Sequence, residues 1–312
     1  MLWLWLGLAA VLLVLAASFF CFYIVFYAPR RPVKNPPEYD IPPGKIYEPY
    51  RDAMIGWMKE VRAMPFEAVS IRSFDGLRLT GRYYEHSPGS PVEIMFHGYR
   101  GNADRDLCGG VQRCFRLGHS ALLVDQRTSG SSEGHVITFG IREHRDCIAW
   151  AEFAAEKFGP ARKLILTGIS MGAATVLMAA GKPLPSSVVG VLADCGYTSP
   201  RAIIQKCTRQ LHLPPRLLYP FVRLGALLFG GFDPDSYSPL EAMKTARLPI
   251  LFFHGDSDDF VPCAMSRENH DAASAPRQLI LTPGAGHGLC YVVDAEGYLA
   301  AMGAFGRAHG WD

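Results

Sequence analysis

The chain has 312 residues, 49% of them hydrophobic, which is enough to bury the core of one large domain or two small ones. Its formal net charge of +2 is too small to favour a polyanionic partner, and its Lys and Arg residues do not cluster along one segment. We therefore predict no nucleic-acid binding. The eight cysteines include no Cys-x-x-Cys pair, and no histidine stands at metal-ligand spacing from them. This scatter indicates free thiols in a reducing compartment, and no metal or other cofactor is predicted.

The first segment predicts a helix that crosses a membrane. Residues 2–27 contain no charged side chain, and this run is longer than the ~20 residues that a helix needs to span a bilayer. Tryptophan and tyrosine side chains stand near its ends, where amphipathic rings prefer the membrane interface. A cleaved signal peptide is the alternative, but no basic region precedes the run, and the run continues past the small residues at 15–18. We predict an uncleaved transmembrane anchor over residues 1–28.

Positive charges follow this segment rather than precede it. Arg30, Arg31 and Lys34 all lie on its C-terminal side. Because cytoplasmic flanks are enriched in Lys and Arg, this asymmetry predicts that the rest of the chain is cytoplasmic and that a very short N-terminus lies outside. The predicted free cysteines agree with this orientation.

A linker and a helix are predicted next. Residues 29–49 contain seven prolines and no apolar periodicity, which is typical of a semi-rigid, extended linker. The main domain is then expected over residues 50–312. It begins with residues 50–64, whose apolar side chains fall on one face of a helix. That face either packs against the following domain, which is the commoner arrangement, or lies flat on the membrane.

From Phe66 onward, short apolar runs alternate with helical patterns. Two runs joined at Asp75-Gly76 predict a hairpin. Six further runs are apolar nearly throughout, as strands covered on both faces must be: VEIMFHG, SALLVDQR, KLILTGIS, VVGVLADCG, PILFFHGD and RQLILTPG. Helices are predicted at about residues 103–117, 141–157, 171–180, 263–273 and 289–308. The alternation predicts an α/β fold with a mostly parallel sheet flanked by helices.

One stretch breaks this rhythm. About residues 198–247 have helix-like sequence between two predicted strands, where a simple crossover needs far fewer residues. We predict a helical insertion there.

Two stretches match the pattern Gly-x-Ser-x-Gly, which is typical of a serine nucleophile on a sharp strand-to-helix turn. GISMG, at residues 168–172, follows the apolar run KLILT and precedes the Ala-rich stretch AATVLMAA, as such a turn requires. GSSEG, at residues 130–134, follows the polar DQRT and has no clear helix after it. The context favours Ser170 as the nucleophile and predicts that Ser132 lies in a loop.

A nucleophilic serine needs a base, which is itself oriented by a carboxylate. His97, His254 and His287 each stand at the end of a predicted strand, where active sites of open α/β sheets gather. We interpret His97 and His254 as structural, each bonding the loop after its strand. His287, in the Gly-rich stretch PGAGHGLC, is the predicted base. The acid is expected between Ser170 and His287, where HGDSDDFVP offers Asp256, Asp258 and Asp259.

The positions of these aspartates suggest different roles. Asp256 directly follows the strand and is expected to brace the turn by bonding backbone amides. Asp258 lies at the apex of the loop, where its carboxylate can lean toward the loop of His287. Asp259 is expected to contribute little.

The chain resembles the α/β-hydrolase superfamily in five motifs that occur in the family's order: HGYRGN, DQRTSGSSEG, GISMG, HGDSDDFVP and GAGHG. The resemblance runs from about residue 66 to the C-terminus and is strongest to membrane-anchored or secreted esterase-like and serine-aminopeptidase-like hydrolases. It implies the α/β-hydrolase fold and a triad of Ser170, Asp258 and His287, because the family pattern His-Gly-x-x-Asp-x-x-Val-Pro falls on Asp258. It also implies an oxyanion hole formed by the backbone N–H groups of Tyr99 and Met171.

The resemblance also implies roles for the second serine motif and for the insertion. Family members often carry an Asp-x-Arg-x-x-Gly-x-Ser-x-Gly loop after the fourth strand, which matches residues 125–134 and shapes the site without supplying the nucleophile. The insertion over about residues 198–247 corresponds to the family's cap. Its apolar sequence either lines an acyl pocket or forms a plain lid packed on the core.

These features predict a membrane-anchored serine hydrolase that cleaves a carboxylic ester or thioester through an acyl-enzyme. A serine peptidase with the same triad is the alternative, although no acidic cap residues stand out as a clamp for a substrate amino terminus. A non-catalytic membrane scaffold on the same fold is a third hypothesis, and the complete set of triad and oxyanion motifs argues against it. The expected partners are a small acyl-ester or lipid-like substrate and the membrane, through residues 2–27.

Overall fold

The computed structural model describes residues 1–29 and 38–311. Over these residues, eight strands form one sheet in the order β1-β2-β4-β3-β5-β6-β7-β8. The strands are β1 (Glu67–Arg72), β2 (Arg78–Tyr84), β3 (Val92–Phe96), β4 (Ser120–Asp125), β5 (Leu164–Ile169), β6 (Val188–Asp194), β7 (Ile250–Gly255) and β8 (Arg277–Thr282). β2 pairs antiparallel with β1 and β4, and all other neighbouring strands pair parallel. The predicted hairpin and mostly parallel sheet are confirmed.

Helices flank this sheet on both faces. Alternate residues of the central strands point to opposite sides, so that Leu164 and Leu166 belong to one apolar cluster and Ile165 to another. β3 and β7 are buried along their whole length, which explains why both read as continuous apolar runs. The α-helices are α1 (Leu2–Val25), α2 (Arg51–Ala63), α3 (Ala103–Asp106), α4 (Gly110–Arg116), α5 (Glu143–Phe158), α6 (Met171–Ala180), α7 (Pro200–Gln210), α8 (Pro215–Gly225), α9 (Pro239–Met243), α10 (Cys263–Ala272), α11 (Cys290–Val293) and α12 (Ala295–His309).

Two of the predicted helices are divided in the structure. The one predicted over 103–117 becomes α3 and α4, separated near Gly109, where a Cβ would lie 2.9 Å from the ring of Trp57. The one predicted over 289–308 becomes α11 and α12, because Asp294 interrupts it and accepts a backbone N–H at the start of α12. Hydrophobic periodicity does not reveal either break. The contact of Gly109 with Trp57 forms only in the folded chain, whereas the bond of Asp294 to Gly297 is a local signal of a helix start.

The segment before the sheet is packed more closely than the sequence suggested. The helix predicted over 50–64 packs against the domain, with Met58 buried in an apolar cluster. The extended linker predicted over 29–49 is wrong in its last part, because Lys45–Tyr50 form a 3-10 helix. Tyr47 in this helix is only 8% exposed, since its ring enters the same apolar cluster.

α1 has two parts with different surroundings. All residues from 1 to 16 are exposed, whereas Ser18, Phe22 and Phe26 in and after its last turns are buried. This second part packs against α8. Residues 30–37, which include the three charges used to predict the membrane orientation, lie outside the described residues.

Helices fill the stretch where the sequence predicts an insertion, about residues 198–247 between β6 and β7. They are α7, α8, a π-helical turn over Ala226–Gly230 and the short helix α9. Tyr219 and Val222 of α8 enter an apolar cluster of the main domain. α8 therefore packs on both the domain and α1. We call the whole stretch of about residues 198–247 the cap.

One charged residue lies in the middle of the sheet. Glu93 of β3 is fully buried, and its carboxylate accepts hydrogen bonds from Arg113, His119 and Thr167. Burial alone would raise the pKa of Glu93, but the neighbouring Arg113 and His119 lower it to about 2. A run that reads as apolar therefore contains a buried charge, which the interior tolerates because other elements supply its partners.

Candidate active site

Ser170 occupies the sharp turn between β5 and α6. Its backbone has φ +57° and ψ −116°, which is strained for a residue with a side chain. Glycine is required on both sides, because a Cβ at Gly168 would lie 2.2 Å from the carbonyl of Gly172, and a Cβ at Gly172 would lie 2.0 Å from the carbonyl oxygen of Phe96. The Ser170 N–H donates to the carbonyl of Asp194 at 2.8 Å. These contacts hold the serine at the carboxyl end of the parallel strands.

His287 and Asp258 lie in line with this serine. His287 Nε2 is 2.9 Å from Ser170 Oγ, and His287 Nδ1 is 2.7 Å from Asp258 Oδ2. The other oxygen of Asp258 accepts two backbone N–H groups of its own loop. Burial alone would raise the pKa of Asp258, but hydrogen bonds from His254 and His287 hold it well below its usual range. The carboxylate is therefore charged at neutral pH and can stabilise a protonated His287.

The two neighbouring aspartates take other positions. Asp256 Oδ1 accepts the N–H of Gly284 at 2.7 Å, which braces the turn after β7 against the loop of His287. Asp259 is exposed, and its backbone carbonyl accepts hydrogen bonds from two side chains of α7. Of the three aspartates in this loop, Asp258 is the one that bonds the imidazole.

The loop after β3 turns beside the serine. Asp106 of α3 accepts the N–H of Gly98 at 3.0 Å and so holds the loop in place. Gly98, Tyr99 and Ser170 line one cavity. Met171 is the first residue of α6, where a backbone N–H has no partner within the helix. The two residues predicted to form the oxyanion hole thus flank the serine, one from the loop and one from the helix.

A cavity of about 400 Å³ opens over Ser170 and His287. Its lining is largely apolar, and one wall comes from residues 42–47, before α2. Tyr47 in this wall donates a hydrogen bond to the backbone carbonyl of His287 at 3.0 Å. This wall lies within the predicted linker. The sequence signal that could have indicated it is an aromatic residue, Tyr47, shortly after a Pro-Pro-Gly turn.

The other two strand-end histidines bond neighbouring loops. His97 Nδ1 bonds the carbonyl of Gly98 at 2.8 Å, and His254 Nε2 bonds the carbonyl of Val261 at 2.8 Å. His254 Nε2 also lies 3.2 Å from Asp258 Oδ2. Asp258 therefore has a second imidazole partner, which the sequence did not reveal.

All eight cysteines are free thiols, as predicted, and Cys195 lies next to this site. Ligand atoms of Cys195, Asp258 and His287 lie within 4.8 Å of one another, close enough to hold a metal ion. However, burial and the charges of Asp194 and Asp258 raise the pKa of the Cys195 thiol, whereas a metal binds the thiolate. Asp258 and His287 also already bond each other. The geometry fits a hydrogen-bonded triad better than a metal centre.

Comparison with known proteins identifies the fold. A family model for the alpha/beta hydrolase fold matches residues 94–238. The structure of the Pyrococcus furiosus esterase Pf2001 has a TM-score of 0.67 to this chain at 19% identity, and covers 91% of this chain and 98% of the esterase. The chain has the α/β-hydrolase fold. Est1E from Butyrivibrio proteoclasticus, solved with ferulic acid bound, has a TM-score of 0.60 at 20% identity and covers 78% of this chain and 100% of that one.

Relatives in sequence come from bacteria and yeast. The uncharacterized protein YqkD of Bacillus subtilis is 25% identical over 190 residues, which are 61% of this chain and 62% of YqkD, so the match spans less than two thirds of that protein. The uncharacterized protein Rv2307c of Mycobacterium tuberculosis is 28% identical over 241 residues, which are 76% of this chain and 78% of Rv2307c. The uncharacterized membrane protein YNL320W of Saccharomyces cerevisiae is 22% identical over 219 residues, 70% of this chain and 72% of that protein.

The second Gly-x-Ser-x-Gly stretch is a loop of this hydrolase fold. Ser132 is buried, and its Oγ donates to the carbonyl of Asp125 at 2.5 Å and accepts the N–H of Thr80 at 2.8 Å. Ser132 therefore ties the loop to β2. Further along the same connection, the ring of Phe139 packs against that of Tyr99, with 5.0 Å between centroids, so the connection reaches the edge of the candidate site.

The end of α1 contacts the loop that carries Tyr99. The hydroxyl of Tyr99 donates to the carbonyl of Val25 at 2.7 Å, and Arg100 donates to two further carbonyls at the end of the helix. Phe26 is fully buried, with edge-to-face contacts to two phenylalanines, one from the loop after β4 and one from the cap. The C-terminal end of the predicted anchor is therefore built into the hydrolase fold and supports one wall of the cavity.

Proposed function

We propose that the protein is a membrane-anchored serine hydrolase that cleaves a carboxylic ester or thioester through an acyl-enzyme. The observation that carries this proposal is the chain of hydrogen bonds from Asp258 through His287 to Ser170, at one side of an apolar cavity. A strained serine with a base in hydrogen-bond reach, itself oriented by a buried carboxylate, is the arrangement that activates serine in hydrolases. Solved proteins of the same fold include the esterase Pf2001.

In the proposed reaction, Ser170 Oγ attacks the carbonyl carbon while its proton passes to His287 Nε2. Asp258 stabilises the imidazolium, and the N–H groups of Tyr99 and Met171 stabilise the oxyanion of the tetrahedral intermediate. His287 returns the proton to the leaving oxygen or sulfur as its bond to the acyl carbon breaks. A water molecule then attacks the acyl carbon while its proton passes to His287. The bond from the acyl carbon to Ser170 Oγ breaks as His287 returns the proton to Oγ, and the carboxylic acid leaves.

The lining of the cavity supports an acyl substrate rather than a peptide amino terminus. A site that binds a free amino terminus needs a carboxylate that is available to it. Among the described residues that line the cavity, the acidic one is Asp106, and its oxygens accept the N–H groups of Gly98 and Arg105. Because this carboxylate already holds the loop after β3, we infer an ester or thioester substrate.

Substrate series test the reaction class directly. The full-length protein in detergent is assayed with p-nitrophenyl esters of increasing acyl length and with aminoacyl arylamides. We expect turnover of the esters and labelling by a fluorophosphonate probe. A higher kcat/KM for the arylamides would favour a peptidase, and a folded protein that neither labels nor turns over esters would be a scaffold.

The membrane part of the proposal rests on α1. Among the described residues, it is the one helix long and apolar enough to cross a membrane. The yeast relative is named a membrane protein. Arg30, Arg31 and Lys34 favour a cytoplasmic hydrolase domain, and an added protease should spare that domain in intact cells.

We expect the two parts of α1 to differ when they are deleted. Removing residues 2–16 takes away exposed side chains, so ester hydrolysis in detergent should stay within about twofold of the full-length rate. Removing residues 2–29 also removes Phe26 and the bonds to Tyr99 and Arg100, and should lower both kcat and the free energy of unfolding, the latter by about 3 kcal/mol or more. Equal Tm and kcat for the two truncations would show that the helix end does not support the site.

A further inference from the structure

The exposed part of α1, residues 2–16, is too short to span a bilayer by itself. Residues 2–16 are exposed, and at 1.5 Å per residue they extend ~22 Å. The hydrocarbon core is ~30 Å thick and needs ~20 residues of helix. If α1 spans the membrane, about five more residues must lie in hydrocarbon. These are residues 17–21, which include the buried Ser18.

The cap packs on this same part of α1. The end of α8 approaches so closely that a Cβ at Gly225 would lie 2.2 Å from the carbonyl oxygen of Ser18. Phe229 of the π-helical turn contacts Phe19 edge to face, with ring centroids 5.1 Å apart, and Phe22 at 6.0 Å. Because these contacts hold the two helices together, the cap enters the membrane to the depth at which Ser18 and Phe19 of α1 lie.

The solvent-facing surface of the cap at this depth is apolar. Leu227, Leu228 and Phe229 follow one another in the chain and are 44%, 53% and 41% exposed. Consecutive exposed apolar residues are unfavourable in water and usually mark a contact surface. Leu217 of α8, at 65% exposed, adds to the apolar surface of the cap.

Most polar groups in this part of the cap have partners within the protein. α8 and the π-helical turn form one helical stretch over residues 215–230, so most of its backbone groups bond within it, as hydrocarbon requires. At its end, Arg142 donates to the carbonyls of Gly230 and Gly231, each at 2.9 Å. Arg223, the nearest charged residue before the turn, is paired with Asp233 at 2.7 Å.

We propose that the π-helical turn Ala226–Gly230 is immersed in the same membrane leaflet as the end of α1, and that the substrate is a lipid-like ester resident in that leaflet. This inference rests on the anchor and the esterase activity proposed above. The cavity wall residue Tyr99 bonds Val25, three residues beyond Phe22, which is ~5 Å along the helix. An ester whose acyl chain lies in the leaflet is therefore close to the cavity over Ser170.

Photolabelling from within the bilayer tests the immersion. The full-length protein is reconstituted in phosphatidylcholine vesicles that contain a phosphatidylcholine with a diazirine midway along one acyl chain. After irradiation and digestion, we expect labelled peptides from α1 and from residues 215–232. Labels on α1 without labels on the cap would overturn the immersion and leave the anchor standing. Labels on neither would overturn both.

Two matched double variants test the consequence for the substrate. Leu227→Gln with Leu228→Gln removes two exposed apolar side chains from the turn. Phe66→Gln with Phe74→Gln removes two apolar side chains of similar exposure, 49% and 41%, from the loops that flank the edge strand β1. We expect the first pair to lower cap labelling, and hydrolysis of a long-chain ester carried in the vesicles, about tenfold. The second pair should lower neither the labelling of the cap nor the hydrolysis of the vesicle ester. Both double variants should hydrolyse p-nitrophenyl butyrate in water at the wild-type rate.

Other outcomes separate the competing explanations. Equal vesicle-ester activity of the two double variants would overturn the proposal. So would strong crosslinking between copies through Leu228→Cys, which would assign the surface to a second copy of the chain. If the wild-type protein labels at the cap but hydrolyses no ester, the membrane contact stands while the esterase activity and the substrate class fail.

Discussion

Ser170→Ala should abolish ester hydrolysis and fluorophosphonate labelling together. The substitution removes the Oγ that lies 2.9 Å from His287 Nε2, and without a nucleophile the histidine has no proton to take. Because nucleophile and base act as one unit, we expect kcat to fall by about 10⁶-fold. The Tm should change little, since the backbone N–H that bonds Asp194 is retained. Steady-state assays and gel-based probe labelling of the purified protein measure both effects.

Ser132→Ala is the matched control, because it changes the serine of the other Gly-x-Ser-x-Gly stretch. It removes the hydrogen bonds to the carbonyl of Asp125 and from the N–H of Thr80, so it should lower Tm while labelling persists. Labelling that survives Ser170→Ala and disappears with Ser132→Ala would place the nucleophile in the loop after β4.

Asp258→Asn should lower kcat by about 10⁴-fold with little change in Tm. Asparagine keeps an oxygen that can accept the two backbone N–H groups of the loop, so the fold of the loop is retained. Its NH₂ group then faces His287 Nδ1, which must become an acceptor. The ring proton moves to Nε2, and His287 can no longer accept the proton of Ser170.

The two neighbouring aspartates provide the comparison. Asp256→Asn should act mainly on Tm, because Asp256 bonds the N–H of Gly284, and Asp259→Asn should change little, because Asp259 is exposed. Measurements of kcat and Tm for all three variants decide the assignment. A large kinetic loss at Asp256 or Asp259, with Asp258→Asn near the wild-type rate, would remove Asp258 from the proposed triad.

Much of the fold could be predicted because its signals are local. Strands covered on both faces must be apolar throughout, which marks the central strands in the sequence. The turn at Ser170 requires glycines at 168 and 172, since any side chain there would collide with the backbone. This turn indicates Ser170, and the position of His287 after a predicted strand indicates the histidine. The structure places these two side chains within hydrogen-bond distance.

The failures of prediction share a cause in long-range contacts. Gly109, near the break between α3 and α4, packs so closely on the ring of Trp57 that it has no room for a side chain, and the buried charge of Glu93 depends on Arg113 and Thr167 from other elements. The prediction of an extended linker was wrong over residues 45–49, because proline content describes the stiffness of a segment and not the surface on which it packs.

The sequence by itself determined the apolar length of α1, the order of strands and helices, and the serine, histidine and aspartate candidates, because each depends on composition or spacing within a short window. Only the tertiary structure decided three further features. They are the point at which α1 stops packing on the domain, the segment that lines one wall of the cavity, and the second imidazole partner of Asp258. Tyr47 and His287 are 240 residues apart in the chain, yet they form one side of the cavity. Periodicity shows that a face will be buried, whereas the partner of that face exists only after the chain has folded.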